Sequence, residues 1–417
     1  MSSPASLSDP AFWELSREER DETFTWLRDH EPVSWQEPPT TWAPTKWSTP
    51  NGYWAVTRYD DIREVSRDSK TFPSGHGVLF FDNLPPDIEY GFSGWLSTDP
   101  PRHTLLRRLV SKAFTPRGVG EIKQIIENEA RKAITRVAPE GRCDFIHGLA
   151  RPFAISVTCA LLGVPESDRL QIERLVNRSG DWGEGKTDGA IEAGLETARY
   201  GAELGLLRRR HPTDDLMTDV AQAEIDGKPL SDVDLGACFW TVLSAGFDTV
   251  AASASFAMVE FARHRDAVER WKSSYDRLAP TAIEEILRWA TPVMNFRRVA
   301  VEDTELAGRR ISRGDNIVVW YISGNRDERV FEHPWRFDLE RDPNPHVAFG
   351  GGGSHFCLGH ALARSELTIL FREVFQRLPD IELSDDPVPY TNPFVETFEV
   401  VPVSFTAVEP ADSLIAG

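Results

Sequence analysis

The sequence predicts a mainly α-helical fold with smaller β-sheets. Apolar residues recur at spacings of three and four through most of residues 102–288, as in HTLLRRLVSKAF and IKQIIENEARKAI. This is the period of helices that bury one face. β-type residues between glycine turns follow in DTELAGRRISRGDNIVVWYISGNRD, and the tail IELSDDPVPYTNPFVETFEVVPVSFT is typical of short strands.

The remaining elements follow in chain order. GYWAVTRYDDIREVSRDS alternates apolar and polar residues before it takes helical spacing, which predicts a strand and then a short helix. Residues 73–98 are rich in Gly, Pro and aromatics, and predict a long irregular loop. FAISVTCALLGV and LGACFWTVLSAGFDTVAASASFAMV predict buried helices, and a further helix over LGHALARSELTILFREVFQRL places four apolar residues on one face: Leu362, Ile369, Leu370 and Val374.

Length and charge limit the function classes. A chain of 417 residues exceeds the usual ~250–300 for one core, so we expect two domains or one large fold with a cofactor in its core. The net charge of −19 argues against nucleic acid as a partner. The four cysteines are widely spaced, which suits a reducing cytoplasm. Asp248 interrupts the most apolar stretch, so no membrane span is expected.

The glycine-rich stretch FGGGGSHFCLG, residues 349–359, predicts a close approach of some group to the backbone. A buried structural cysteine is the default for Cys357. A phosphate-binding loop needs a Lys that residues 345–370 lack. A zinc site with His355, Cys357 and His360 has no second ligand pair nearby, and a nucleophilic cysteine does not need four glycines. A thiolate ligand to haem iron would explain them, because a flat macrocycle excludes side chains.

This stretch resembles the haem-binding loop of the cytochrome P450 monooxygenases, F-G-x-G-x-H-x-C-x-G. Gly353, His355, Cys357 and Gly359 match directly, while Phe349 lies one residue further from the cysteine. The spare glycine is similar to a variant in actinobacterial members that hydroxylate steroids and methyl-branched lipids. The resemblance implies haem b, with Cys357 as the iron ligand and these loop residues around the cofactor: Phe349, Gly350, Gly351, His355 and Gly359.

The family resemblance also implies the architecture. It predicts a triangular prism with the haem buried between an oxygen-binding helix and the loop and helix of the cysteine ligand. Residues 1–417 are then one catalytic domain, with residues 1–20 and 409–417 as flexible ends.

EEILR places Glu285 and Arg288 three apart on one helix face, where they can pair. A solvated surface pair is the plain reading of such a match. HPWRFD resembles the family's P-x-R-F segment, which implies Arg336 as the third member of a structural ion network.

SAGFDTV resembles the family's A-G-x-[DE]-T in the oxygen-binding helix. The plain reading is a buried helix in which Thr249 bonds back to the carbonyl of Ala245. The resemblance implies instead that Gly246 leaves room for dioxygen, Thr249 hydrogen-bonds the bound peroxide and Asp248 helps to deliver protons.

DPPRHTLLRRLVSKAFTPR resembles the helix beneath the haem. His103 and Arg107 are four apart and share a face. The resemblance implies that they contact the haem propionates, together with Arg298 in NFRRVA and His346 in NPHVAFG. Arg297 is the adjacent alternative to Arg298.

The implied reaction inserts one atom of dioxygen into a C–H bond. The sequence shows no Rossmann fingerprint and no cysteine cluster for iron–sulfur, so a separate ferredoxin and ferredoxin reductase are expected. Arg108, Lys112 and Arg117 are candidates for a basic surface that an acidic ferredoxin binds, with plain solvated charges as the alternative. We expect a cytoplasmic monomer.

An apolar pocket suits a hydrophobic ligand. A terpenoid, steroid or branched-chain lipid, oxidised near a methyl terminus, is favoured over tailoring of a macrolide or peptide. Haem binding for sensing or electron transfer without turnover is the alternative of a different class, and SAGFDTV argues against it. The candidate pocket residues are apolar and could equally belong to the core: Phe80, Phe81, Phe92, Trp95, Val242, Val293, Met294, Phe296 and Phe394.

Overall fold

The computed structural model describes residues 6–39, 51–79, 85–179, 187–390 and 392–408. Helices dominate, as the sequence predicts. A turn of π-helix, Ile146–Ala150, leads directly into the eighth helix. The helices of the described residues are α1 (Pro10–Glu14), α2 (Arg17–His30), α3 (Tyr59–Arg67), α4 (Pro86–Ser93), α5 (Arg102–Ser111), α6 (Pro116–Glu121), α7 (Lys123–Val137), α8 (Arg151–Leu162), α9 (Arg169–Ser179), α10 (Thr187–Arg210), α11 (Leu216–Gln222), α12 (Asp232–Arg263), α13 (Arg265–Ser273), α14 (Tyr275–Ala290), α15 (Tyr321–Gly324) and α16 (His360–Arg377).

The strands form small sheets, and the largest has the order β1-β2-β9-β6. Within it β2 and β9 are parallel, whereas β1–β2 and β6–β9 are antiparallel. A three-stranded sheet, β10-β13-β3, joins the tail to the middle of the chain. The strands are β1 (Val33–Gln36), β2 (Tyr53–Val56), β3 (Arg142–Asp144), β4 (Glu224–Ile225), β5 (Lys228–Pro229), β6 (Asn295–Val299), β7 (Thr304–Leu306), β8 (Arg309–Ile311), β9 (Asn316–Trp320), β10 (Glu382–Leu383), β11 (Val388–Tyr390), β12 (Thr397–Val400) and β13 (Pro402–Ser404).

Helix α12 runs through the centre of the main core. It begins at a capping box in which Ser231 and Asp234 exchange hydrogen bonds, which satisfies amide groups of its first turn. Helices α8, α10, α14 and α16 all contact it. Length and composition alone would let α12 cross a membrane, but 72% of its most apolar window is buried inside the protein. That burial is typical of the core helix of a globular protein.

Two smaller clusters extend the core on the side of the β-sheet. One packs α3 against β9 and the residues around Val347. The other packs Phe12, Trp13 and Phe24 of the first two helices against Trp320 of β9. The Trp13 and Trp320 rings stack with their centroids 5.2 Å apart. The expected flexible end is therefore wrong for residues 6–20, whereas residues 409–417 lie outside the described part of the chain.

The irregular loop expected over residues 73–98 is also wrong in part. Residues Pro86–Ser93 form α4, and Gly94–Ser97 form a turn of 3-10 helix. Pro86 stands at the start of α4, where its missing N–H costs nothing, so a proline-rich segment here begins a helix. The other predicted helices and strands are confirmed within a few residues of their expected ends.

Candidate active site

Cys357 lies between the glycine loop and α16, as the sequence predicts. Its amide donates to the carbonyl of Phe349 at 2.9 Å, which closes the loop back on itself. Burial raises the pKa of the Cys357 thiol, while the backbone N–H groups of Gly359 and His360 and the positive charge of Arg107 act in the opposite direction. A metal cation bound to the sulfur would lower the pKa of Cys357 further, because a coordinating thiol is deprotonated outright.

Gly351 and Gly353 of this loop are required by the close approach of α3, whereas a Cβ atom at Gly350 would meet no described atom nearer than 4.0 Å. Gly350, Gly352 and Gly353 have positive φ angles of 94°, 102° and 76°, which L-residues with side chains rarely adopt. A Cβ atom at Gly351 would lie 2.6 Å from Oγ of Ser66, and one at Gly353 would overlap the carbonyl oxygen of that residue. The missing side chain of Gly351 therefore admits helix α3, and the expected contact of this residue with haem stays a prediction.

Four side chains from three separate segments meet beside this loop. The rings of His103, on α5, and His355 have centroids 4.2 Å apart. Both ring nitrogens of His103 and Nε2 of His355 are buried without a hydrogen-bond partner among the described residues. Burial and nearby positive charge lower the pKa of His103 to about 4 and that of His355 to about 2, so both rings are neutral at neutral pH.

Two guanidinium groups complete this cluster, that of Arg298 buried and that of Arg107 half-buried. Arg107 donates to the carbonyl of Phe356, next to Cys357. Arg298 donates to the backbone carbonyl of its neighbour Arg297 at 2.7 Å, and burial lowers its pKa. Neither guanidinium has a carboxylate partner within the described ranges. A buried and a half-buried cation without carboxylate partners, beside orphaned imidazole nitrogens, are costly unless an anionic group joins them, so these residues fit the two propionates of haem.

Arg297 and Arg298 have different roles in β6. Arg297 donates to the carbonyl of His76 at 3.0 Å, and its own amide donates to the carbonyl of Val78 at 2.8 Å. The Arg297 side chain therefore holds the loop before α4. Of the two arginines, Arg298 is the one that joins the histidine cluster.

His346, expected at a haem propionate, contacts α14 in this structure. Its Nε2 lies 2.9 Å from Oε2 of Glu284, and its Nδ1 accepts the amide of Ala348 at 3.2 Å. Arg364 pairs with the same carboxylate. Burial raises the pKa of Glu284, but the hydrogen bonds of Arg364 and His346 outweigh it and bring that pKa to about 2. Since both ring nitrogens are engaged, His346 joins α14 to the segment before the cysteine loop.

Helix α12 presents a short polar stretch at its centre. Ala245 is exposed although its neighbours on the helix are buried or half-buried. Oγ1 of Thr249 donates to the carbonyl of Ala245 at 2.8 Å, which is the plain back-bonding contact. Asp248 pairs with Arg151 at the start of α8, with Nε 3.0 Å from Oδ1. Burial raises the pKa of Asp248, and Arg151 partly offsets this.

Gly246, expected to leave room for dioxygen, also lets α8 and α12 pack closely. A Cβ atom there would lie 2.6 Å from Oγ1 of Thr158, on α8. The glycine is needed because α8 and α12 approach each other closely at this point.

The Glu–Arg pair of α14 is wholly buried, but its third partner is not the expected one. Glu285 and Arg288 are both 0% exposed and make two hydrogen bonds of 2.7 Å. The Arg336 side chain is 69% exposed and reaches only Asp338, at 4.0 Å. Nε of Arg341 instead lies 3.0 Å from Oε2 of Glu285. The backbone carbonyl of Arg336 accepts hydrogen bonds from Arg288 and Arg341. The second cation that pairs with Glu285 is therefore Arg341, five residues after the expected Arg336.

The candidate pocket residues divide into three groups. Phe80 and Phe81 lie outside the described residues, as does the side chain of Phe92. Trp95 and Val242 are buried in the main core, and Met294 is fully buried in the cluster below α2, on the other side of β6, which makes it a core residue. The partly exposed residues are Val293, Phe296 and Phe394, and the rings of the last two are 5.5 Å apart.

Two residues of this site, Arg151 and Arg364, were not predicted from the sequence. Arg151 and Asp248 are 97 positions apart, so only the packing of α8 on α12 brings them together. Arg364 was detectable in principle, because it lies four residues after His360 on the same face of α16. Its pairing with Glu284 depends on the way α14 and α16 pack.

Comparison with known proteins is consistent with this geometry. Residues 169–396 match the family model described as "Cytochrome P450". A methyl-branched lipid omega-hydroxylase of Mycobacterium tuberculosis is 35% identical over 402 residues, which are 95% of this chain and 93% of that protein. A steroid C26-monooxygenase of Rhodococcus jostii is 37% identical over 336 residues, 79% of this chain and 71% of that protein.

A solved structure has the same fold. A Mycobacterium marinum cytochrome P450 in complex with pseudoionone superposes with a TM-score of 0.90 and 38% identity, covering 97% of this chain and 99% of that one. The fold and site thus define a haem-dependent oxygenase. This chain belongs to the cytochrome P450 family, its cofactor is haem b, and it is a monooxygenase that resembles lipid and steroid hydroxylases.

Proposed function

We propose that this chain, as one catalytic domain, uses electrons from a ferredoxin to hydroxylate a methyl-branched hydrophobic molecule. The observation that carries the assignment of the site is the cluster of His103, Arg107, Arg298 and His355 beside Cys357. Its two guanidinium groups, one buried and one half-buried, lack carboxylate partners among the described residues, and three of its four imidazole nitrogens are buried without a hydrogen bond there. The cluster offers several donors to two carboxylates at once, while Cys357 Sγ binds the iron.

Bound haem with a thiolate ligand supplies dioxygen activation and C–H oxidation. The chain supplies position and protons. The amides of Gly359 and His360 and the charge of Arg107 stabilise negative charge on Cys357. Thr249 carries a hydroxyl proton at the exposed centre of α12, next to Ala245. Asp248 has a raised pKa because of burial and is oriented by Arg151, so it is suited to carry a proton from water towards Thr249.

The proposed substrate class depends on three apolar side chains, here called the apolar edge, and on the similar proteins. Val293, Phe296 and Phe394 are partly exposed and belong to segments near Arg298. Such a surface binds hydrocarbon without fixing a polar group. Pseudoionone, bound in the Mycobacterium marinum structure, is a methyl-branched terpenoid ketone. A terpenoid, steroid or branched lipid oxidised near a methyl terminus fits both observations.

Electron supply is proposed to come from an acidic ferredoxin. Arg108 and Lys112 are exposed at the end of α5, the helix whose Arg107 contacts the backbone next to Cys357. Neither has an ion-pair partner in the described parts of the chain, whereas Arg117 pairs with Glu121 at 3.3 Å. A basic patch on a chain of net charge −19 orients an acidic partner towards this face.

A ligand screen tests the substrate class. Addition of branched terpenoids, steroids, straight-chain fatty acids and macrolides to the ferric protein is followed by the spin-state change of the haem. We expect the largest shift and the lowest Kd with a methyl-branched terpenoid or lipid, followed by oxidation near its methyl end. Binding of macrolides alone would contradict the proposed substrate class but not the assignment of the haem site.

A further inference from the structure

The segment of residues 392–396, here called the tail turn, presents Phe394 at the apolar edge. Oδ1 of Asn392 accepts the amides of Phe394 at 2.7 Å and of Val395 at 3.0 Å. These bonds shape the turn locally but do not attach it to the rest of the protein.

One side of the tail turn is held by the segment before β6. The amide of Met294 donates to the carbonyl of Phe394 at 2.9 Å, and the amide of Glu396 donates to the carbonyl of Pro292 at 2.8 Å. Nδ2 of Asn295 donates to the carbonyl of Pro393 at 2.7 Å. These contacts, with a β-bridge between Val293 and Val395, attach the backbone of the turn to the segment around the start of β6.

The other side is held by the first turns of α2. Arg20 and Arg17 lie 2.6 Å and 3.4 Å from the two carboxylate oxygens of Glu396, and we call this group the α2 clasp. The Glu396 side chain is only 6% exposed. Arg17 is further fixed because its guanidinium lies 4.9 Å from the ring centroid of Phe256, on α12. The clasp therefore connects the tail turn to α2 over a separation of 376 residues.

Two contacts of the Phe296 ring would transmit a movement of the tail turn to Arg298, in the proposed propionate cluster. The Phe394 ring packs edge-on against Phe296 with centroids 5.5 Å apart. The guanidinium of Arg298, two residues along β6 and on the same face, lies 5.9 Å from the Phe296 ring. A shift of Phe394 therefore changes the shape of the apolar edge next to the proposed propionate cluster.

We propose that Glu396 and Arg20 are positioning residues for Phe394, so that α2 takes part in selecting the shape of the ligand. This inference rests on the proposed function, because it assumes that Phe394 borders the ligand chamber. A purely structural clasp would affect stability for every ligand alike. A positioning clasp changes the preference between ligands of different shape.

The test uses two haem-coordinating azoles, phenylimidazole and dodecylimidazole, whose spectral binding does not require knowledge of the natural substrate. The Kd of each is measured for the wild type, for Glu396→Gln and for Arg20→Met. We expect the ratio of the two Kd values to change by about 5-fold or more in both variants. Hydrogen exchange at the amide of Met294, whose acceptor is the carbonyl of Phe394, should also become faster.

The matched control is Glu328→Gln. It removes the ion pair of Arg28, 3.0 Å long, at the opposite end of the same helix. The control should leave the Kd ratio unchanged even where it lowers the melting temperature. If Glu396→Gln does not fold, the Kd ratio of Arg20→Met provides the test. Arg20→Met is the milder change, because Glu396 keeps Arg17 as an ion-pair partner. Arg20→Lys should restore most of the wild-type ratio.

The outcomes separate this inference from the proposed function. A wild type that gives no azole spectrum overturns the haem site itself. A wild type that binds both azoles, with variants that lose stability at an unchanged ratio, overturns the positioning role of the clasp alone.

Discussion

At the scale of single residues, the site combines groups that would be costly to bury alone. Arg107 and Arg298 carry charge without carboxylate partners in the described ranges, and His103 and His355 keep nitrogens without hydrogen bonds. A protein core tolerates few such groups, because each unpaired buried polar atom costs about 1–3 kcal/mol. Their concentration beside Cys357 therefore indicates binding rather than stability.

Thr249→Ala tests the proposed proton carrier. We expect the variant to keep its haem and ligand affinity but to form product at least about 10-fold more slowly, with the electrons lost to hydrogen peroxide, because general acid catalysis contributes ~10²–10⁴-fold. Peroxide release per NADH consumed measures this. Thr241→Ala is the matched control, since Thr241 makes the same back-bond, 2.7 Å long, two turns earlier on α12. Equal coupling in the wild type and Thr249→Ala would exclude the relay role.

At the scale of elements, the sequence predicts those helices and strands that depend on the local spacing of apolar residues and on glycine turns. The helix after Cys357 and the strands β7–β9 follow from apolar period and glycine turns, and the structure confirms them. The packing of α3 on the glycine loop, and the choice of Arg341 over Arg336, depend on segments that are distant in sequence. No period or spacing encodes such contacts, so the loop was predictable from the sequence, whereas its packing against α3 was not.

Gly353→Ala tests the contact of the cysteine loop with α3. The positive φ alone costs about 1–2 kcal/mol, and overlap with the backbone of Ser66 adds about 1–3 kcal/mol of overpacking. Denaturant unfolding of the haem-loaded protein measures the sum, and haem retention should fall with it. Gly308→Ala, at a φ of 78° with nothing within 4 Å, isolates the cost of the backbone angle. Equal losses in the two variants would show that α3 does not constrain the loop.

Arg341→Leu tests the corrected ion network. Because Glu285 is 0% exposed, the loss of one cationic partner should lower the free energy of unfolding by about 3–5 kcal/mol. Arg336→Leu should change it by no more than about 0.5 kcal/mol, since that side chain is largely in solvent. Both are measured by urea titration. A larger loss of stability in Arg336→Leu than in Arg341→Leu would show that Arg336, not Arg341, belongs to the ion network.

At the scale of the whole molecule, charge is distributed unevenly. The chain carries a net charge of −19, yet the end of α5 next to the cysteine loop presents Arg108 and Lys112 to solvent. Long-range repulsion between two acidic proteins weakens as salt rises, whereas local attraction at this patch decides orientation. The net negative charge of the chain thus slows the approach of an acidic ferredoxin. The patch of Arg108 and Lys112 determines where that ferredoxin docks.

Lys112→Glu tests this surface. We expect slower reduction of the ferric protein by an acidic plant-type ferredoxin, with a steeper rise of the rate as ionic strength increases, because the attractive contact is replaced by a repulsion that salt screens. Stopped-flow reduction at several salt concentrations measures both. Arg310→Glu, on the exposed β7–β8 hairpin, adds the same charge elsewhere. If both variants slow reduction equally, only net charge matters and the patch is not the docking site.

The central claim is that the sulfur of Cys357 binds the haem iron, and the absorption spectrum of the reduced protein with carbon monoxide tests it most directly. The account predicts the strongly red-shifted Soret band of thiolate-ligated haem in the wild type and in Cys143→Ser, and its loss in Cys357→Ser. A wild type with the spectrum of imidazole-ligated haem, or a red-shifted band that survives in Cys357→Ser, would contradict it.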